Sequence, residues 1–167
     1  DQTQRRSPQR QTHSAVCLAC TSKGQEQHMA LTTEQLVELA SEHAVAARER
    51  AYAPYSNFLM GAAAVTADGA IVEGVLIENV SLGLAMCAER VALFAAVTSQ
   101  QAPVVLALCS KRTEEELTFP CGACLQVALE VVGTELIIVA VDPNRNSAQT
   151  TLGDLLPQGP KRFTPDY

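Results

Sequence analysis

Tryptophan is absent, and aromatic residues make up only 4% of the 167 residues. Basic side chains are outnumbered, 12 Lys and Arg against 18 Asp and Glu, for a net charge of −6. Without a basic surplus there is no global positive surface to attract a polyanion, and sparse aromatics leave no aromatic-basic pattern for stacking bases. Both absences argue against a nucleic-acid partner. No apolar run reaches the ~18 residues of a membrane-spanning helix, so no membrane partner is expected. The opening residues are polar and Arg-bearing with no apolar segment behind them, so no secretory signal is read. A soluble cytoplasmic protein is expected. No internal repeat is present.

Hydrophobic residues still amount to 47%, enough for a real core in a single domain of this length. Their patterning begins late. Residues 1–28 are rich in Gln, Arg, Ser and Thr, and read as a disordered polar tail, appended or from an alternative upstream start. Met29-Ala30-Leu31-Thr32-Thr33-Glu34 opens the folded domain, taken as 29–160, with 161–167 as a C-terminal tail. Cys17 and Cys20 fall in the first tail with no second ligand pair, so incidental thiols are favoured over half a zinc site.

Thr32 or Thr33 caps a first helix whose apolar spacing, Leu36, Leu39, Ala40, His43, Ala44 and Ala47, runs to about Arg50. His43 on that stripe reads as a packed or surface histidine rather than a ligand. Strand-like runs at 59–66 and 70–77 flank Ala67-Asp68-Gly69, a hairpin signal. Helices are expected at 88–99 and 122–132, strands at 103–109 and 135–141, and a short helix from Leu152 to Leu156. Crossovers through the two middle helices favour parallel pairing of the later strands. The order points to an α/β domain, a three-layer α/β/α sandwich.

The chemistry lies in six cysteines, three of them in Cys87-Ala88-Glu89 and Pro120-Cys121-Gly122-Ala123-Cys124. In a reducing compartment, clustered cysteines signal a metal more often than disulfides. Three convergent thiols leave one tetrahedral zinc position open for water, whereas a structural site is closed by a fourth ligand. Thiolate-rich, carboxylate-poor ligation selects Zn2+, one per chain. Both motifs sit at expected helix starts, where free N–H groups and the dipole favour thiolate. Pro120 presets the backbone there, and Gly122 is expected to let the turn approach the metal. Glu89 is placed as a proton shuttle, in competition with a plain first-turn carboxylate. Three thiolates with Zn2+ sum to −1. Arg90 can offset this by donating to a sulfur, as can Gln126 from the next helix.

The pattern resembles the Cys-type cytidine deaminases, and the resemblance runs from Leu31 to Pro157. It rests on Tyr52-Ala53-Pro54-Tyr55-Ser56-Asn57-Phe58, Ile77-Glu78-Asn79, Cys87-Ala88-Glu89-Arg90, Pro120-Cys121-Gly122-Ala123-Cys124 with Gln126, and Leu155-Leu156-Pro157. It implies a five-stranded mixed sheet and zinc-dependent hydrolysis of cytidine or deoxycytidine to the uridine product and ammonia, a pyrimidine-salvage reaction. It implies that Phe58 packs on the base, Glu78 binds the ribose hydroxyls, the Ala88 backbone holds the base, and Tyr55 lies near the pocket mouth. The residues alone leave Phe58 free to be core and Glu78 to be a strand terminator. The family also implies a homotetramer whose neighbouring subunits complete each pocket. The almost wholly apolar helix 88–99 fits burial on several sides, by subunit contact or within one chain.

Three positions depart from the family. Leu76 stands where Asn usually contacts the ribose, Leu82 where Tyr is common, and Leu125 where Arg is common. A sugar hydroxyl facing Leu76 loses a partner, at a cost of about 1–3 kcal/mol. A second reading therefore keeps the chemistry but changes the substrate to a modified cytosine nucleoside or nucleoside-like antibiotic. A third reading is a non-catalytic, zinc-stabilised binding subunit. It predicts a missing shuttle carboxylate or a fourth ligand.

Overall fold

A computed structural model describes residues 30–160; the two tails, with Cys17 and Cys20, lie outside the described residues. Helix α1 (Thr33–Arg48) starts with a reciprocal cap. Thr32 Oγ1 accepts from the Gln35 amide at 3.3 Å, and Gln35 Oε1 accepts from the Thr32 amide at 2.8 Å. Its buried stripe is Leu36, Ala40, Ala44 and Ala47. His43 lies beside that stripe, with Nδ1 2.7 Å from Glu73 Oε1, and Arg50 binds the other oxygen of the same carboxylate.

Strands β1 (Met60–Thr66) and β2 (Ile71–Val75) form the expected antiparallel hairpin, with Gly69 at φ +84° in its turn. Helix α2 (Ala88–Thr98), β3 (Pro103–Ser110), α3 (Gly122–Val131) and β4 (Ile137–Val141) follow in the expected order. The crossover through α3 makes β3 and β4 parallel, as expected. The chain then returns through a turn closed by Asp142. Its carboxylate accepts from the Asn144 and Asn146 amides and from Arg112 Nε at 2.8 Å. Strand β5 (Ser147–Thr151) pairs antiparallel with β4, and α4 (Leu152–Leu155) ends the described fold.

The sheet order is β2-β1-β3-β4-β5, five strands of mixed direction. Sheet faces alternate cleanly. Ala63, Val65, Val105 and Ala107 pack under α1, whereas Ala62, Ala64, Leu106 and Leu108 pack under α2 and α3. This is the expected three-layer α/β/α sandwich. Aliphatic residues of small and medium size fill both layers, consistent with the shortage of aromatics.

Two glycines bring helices onto the strand backbone. A Cβ at Gly61 would fall 2.1 Å from the Arg48 nitrogen on the α1 side. One at Gly74 would fall 2.3 Å from the Ala88 oxygen and 2.4 Å from the Ala92 nitrogen in α2. Backbone atoms cannot swing aside as a flexible side chain can. Gly74→Ala is expected to cost about 1–3 kcal/mol in a denaturant melt. A change within 0.5 kcal/mol would show that α2 rises freely off the sheet.

Candidate active site

Beyond β2 the chain stays extended, and short bridges fix what lies beside the start of α2. Ile77 pairs antiparallel with Met86, with amide–carbonyl bonds of 3.0 and 2.9 Å in the two directions. On its other side Ile77 pairs with Tyr52; the Glu78 amide donates to the Tyr52 carbonyl at 2.8 Å. The Leu76 amide donates to the Met60 carbonyl at 3.0 Å. These bonds bring Leu76, Glu78 and the 52–58 segment alongside Cys87.

Cys87 and Cys121 are the N-caps of α2 and α3, and neither side chain is used as a cap. Cys124 lies in the first turn of α3 and is buried, whereas Cys121 is exposed. The three Sγ atoms lie within 4.8 Å of one another, and Cys121 and Cys124 Sγ are 3.5 Å apart. Tetrahedral ligation with a Zn–S bond near 2.3 Å spaces sulfurs about 3.8 Å apart, so the cluster fits that ion. Among the described residues no fourth His, Cys, Asp or Glu joins the group. The residues therefore fit a zinc site with one position left for a non-protein ligand.

Glu89, in the first turn of α2, is 1% exposed, and its Oε2 has no hydrogen-bond partner. Burial pushes its carboxyl up to about 7, with the neighbouring Cys87 thiolate adding to the rise. A buried oxygen with no protein partner suits a proton carrier. Arg90 Nη2 donates to Cys87 Sγ at 3.6 Å, as expected. The shared hydrogen bond with Cys124, then the Arg90 guanidinium, hold Cys87 down near 5 against its burial. The same sharing, together with burial and the Glu89 charge, pushes Cys124 up. Adjacent thiols resist a second ionisation unless a cation stands among them, which is a further mark of a metal site.

The residues expected to face a substrate gather at the same end of the sheet. Phe58 is half-buried, Tyr55 exposed, Ala88 fully buried and Leu76 partly exposed. Glu78 is already engaged: Oε2 accepts from the Tyr55 and Ser56 amides at 2.8 and 3.3 Å, and Oε1 accepts from Ser56 Oγ. These contacts hold its carboxyl below the usual range, led by Ser56 Oγ and the Tyr55 amide. Ser56 carries a role that its place in the motif did not announce, since its hydroxyl also accepts from the Phe58 amide at 3.0 Å. Lys111 was missed as well: its ammonium stands 5.3 Å from the Phe58 ring centroid.

One expectation needs correction. Gln126 does not donate to a thiol; its Nε2 donates to the Pro160 carbonyl at 3.4 Å, because the chain after α4 passes within reach. A Cβ at Gly122 would meet no protein atom within 4 Å, so protein packing leaves that side of the turn open. Helix α2 leaves Phe94 and Val97 exposed in the single chain, so of the two routes to burial open to its apolar sequence, burial wholly within one chain is not the one taken.

The match to known proteins follows this geometry. Residues 34–140 match the family model described as the cytidine and deoxycytidylate deaminase zinc-binding region. The chain is 38% identical over 120 residues to the cytidine deaminase of Halalkalibacterium halodurans, covering 72% of this chain and 90% of that protein. It is 45% identical over 116 residues to that of Mycobacterium tuberculosis, covering 69% and 82%. The crystal structure of cytidine deaminase from Burkholderia pseudomallei superposes with a TM-score of 0.67 at 42% identity, over 77% of this chain and 99% of that one. Fold, cluster and similarity agree: the chain belongs to the cytidine and deoxycytidylate deaminase family.

Proposed function

We propose that this protein is a zinc-dependent deaminase that hydrolyses cytidine and deoxycytidine to uridine and deoxyuridine with release of ammonia, as in pyrimidine salvage in the cytoplasm. The observation that carries the reading is a buried carboxylate, Glu89, with an unpartnered oxygen, two residues from a ligand of an open three-thiol cluster. The deaminase names of the relatives support the same chemistry.

Cys87, Cys121 and Cys124 would hold the ion, which when bound supplies Lewis acidity that brings the pKa of water toward neutrality. Arg90 donates to Cys87 Sγ and offsets the excess negative charge of three thiolates. Glu89 takes a proton from the attacking water as the C4–O bond forms. It gives that proton to N3, then takes the proton of the new C4 hydroxyl and delivers it to the amine as the C4–N bond breaks and the C4 carbonyl forms, so ammonia departs and the carboxylate is restored. Its burial excludes bulk water from that transfer. Phe58 packs on the base, the Ala88 backbone holds the base edge, and Tyr55 borders the mouth.

Two observations favour a second substrate reading. Leu76 offers no hydrogen bond to a sugar, and Glu78 is largely occupied by Tyr55 and Ser56. Altered sugars or modified cytosines fit such a site. A homotetramer with shared active sites remains part of the reading. The exposed apolar side chains of Val80, Leu82, Leu84, Phe94 and Val97 support it.

The test is an absorbance assay of the zinc-loaded protein with cytidine and deoxycytidine. Loss of the cytidine band with stoichiometric ammonia is expected. No turnover of either, beside turnover of a sugar-altered or base-modified cytosine nucleoside, would transfer the assignment to the second substrate class. No turnover of any of them would reject the enzyme.

A further inference from the structure

Lys111 differs from every other Lys or Arg among the described residues. Arg48, Arg50, Arg112 and Arg145 each pair with a carboxylate, and Arg90 pairs with Cys87. The Lys111 ammonium lies instead over the Phe58 ring, at 5.3 Å. Three glutamates follow at 114–116, so a carboxylate was available nearby in the chain. Both partners are held by the fold. Met60 pairs with Ser110, which delivers residues 58 and 111 to the same end of the sheet. The Lys111 carbonyl accepts from Ser110 Oγ at 3.0 Å and Thr118 Oγ1 at 3.2 Å. Phe58 follows Asn57 at φ 55° and is tied through Ser56 to Glu78. An ammonium over an aromatic face is attracted by the ring's negative quadrupole.

We infer that Lys111 is a positioning residue for nucleoside binding: its ammonium, 5.3 Å from the Phe58 ring, holds that ring in one orientation for the pyrimidine. This rests on the deaminase reading and adds to it a residue acting through Phe58. A ring ordered before the substrate arrives loses less freedom on binding, so the effect falls on affinity rather than on the chemical step.

Kinetics on cytidine and calorimetric binding of uridine are measured for wild type, Lys111→Met, Lys111→Arg, Phe58→Leu and the Lys111→Met/Phe58→Leu double variant. Lys111→Met is expected to raise KM and the uridine Kd about 3-fold, with kcat and melting temperature unchanged. Lys111→Arg restores both constants, since a guanidinium also stacks on a ring. In the Phe58→Leu background, Lys111→Met adds nothing. Unchanged constants in Lys111→Met, or a full effect persisting without the ring, would overturn the proposal. Wild type that binds uridine but turns over no cytosine nucleoside, ordinary or altered, would reject the deaminase reading alone, and the binding series would still decide the role of Lys111. Wild type that binds neither nucleoside overturns both.

Discussion

Glu89→Gln lowers cytidine turnover by about 10³-fold while leaving the metal content at one ion per chain. The amide has the shape of the carboxyl and fits the same pocket, but it cannot accept and return a proton. Glu89 is 1% exposed, so no bulk water stands ready to replace it as a carrier. Stability should not suffer. The native side chain has a buried, unpartnered oxygen and a carboxyl pushed up to about 7 chiefly by that burial. A neutral group removes a desolvation cost rather than a favourable contact. Steady-state rates, metal analysis and a thermal melt on the same sample provide the check. Turnover within about tenfold of wild type would show that another group moves the proton.

The second large effect concerns the thiols, and it differs between them. Cys121 is exposed, so Cys121→Ala removes a ligand without opening a core cavity. Metal loss is expected, with activity down by more than about 10³-fold and a melting temperature lower by more than about 5 °C. A chelator should lower wild type to the same point and leave Cys121→Ala unmoved. Cys124 is 1% exposed and packs at the start of α3, so Cys124→Ala combines metal loss with a packing defect. Its melt should fall below that of chelated wild type. Equal melts for wild type with and without chelator would mean that the ion adds nothing to folding.

Much of this arrangement was legible in the residues. Each cysteine motif sits on a helix N-cap because Pro120 and the apolar runs after Cys87 and Cys121 mark those starts. The apolar run at 59–66 marked a strand, and Thr32, which caps α1, was one of the two caps the spacing offered. Strand β5 was not. Ser147–Thr151 is polar throughout and mostly exposed, so it has no apolar alternation and is held by its ladder to β4. The family resemblance implied a fifth strand without locating it. The engagement of Glu78 with Ser56, of Gln126 with Pro160 and of Lys111 with Phe58 arises from register and chain return, which local pattern does not encode. Gly74 carried a signal that went unused: a glycine inside a strand often marks close backbone approach.

That glycine bears on any attempt to move this chemistry to another scaffold. Helix α2 rests on the bare backbone of β2, so the height of its first turn over the sheet is set by a hydrogen atom at position 74. Cys87, Glu89 and Arg90 all take their elevation from that turn, while Cys121 and Cys124 take theirs from α3. A transplant that carried the three thiols and the carboxylate but put a side chain under α2 would separate the two halves of the ligand set. The minimal portable unit is therefore larger than the motif: it includes the strand beneath the helix, and one position where nothing may project.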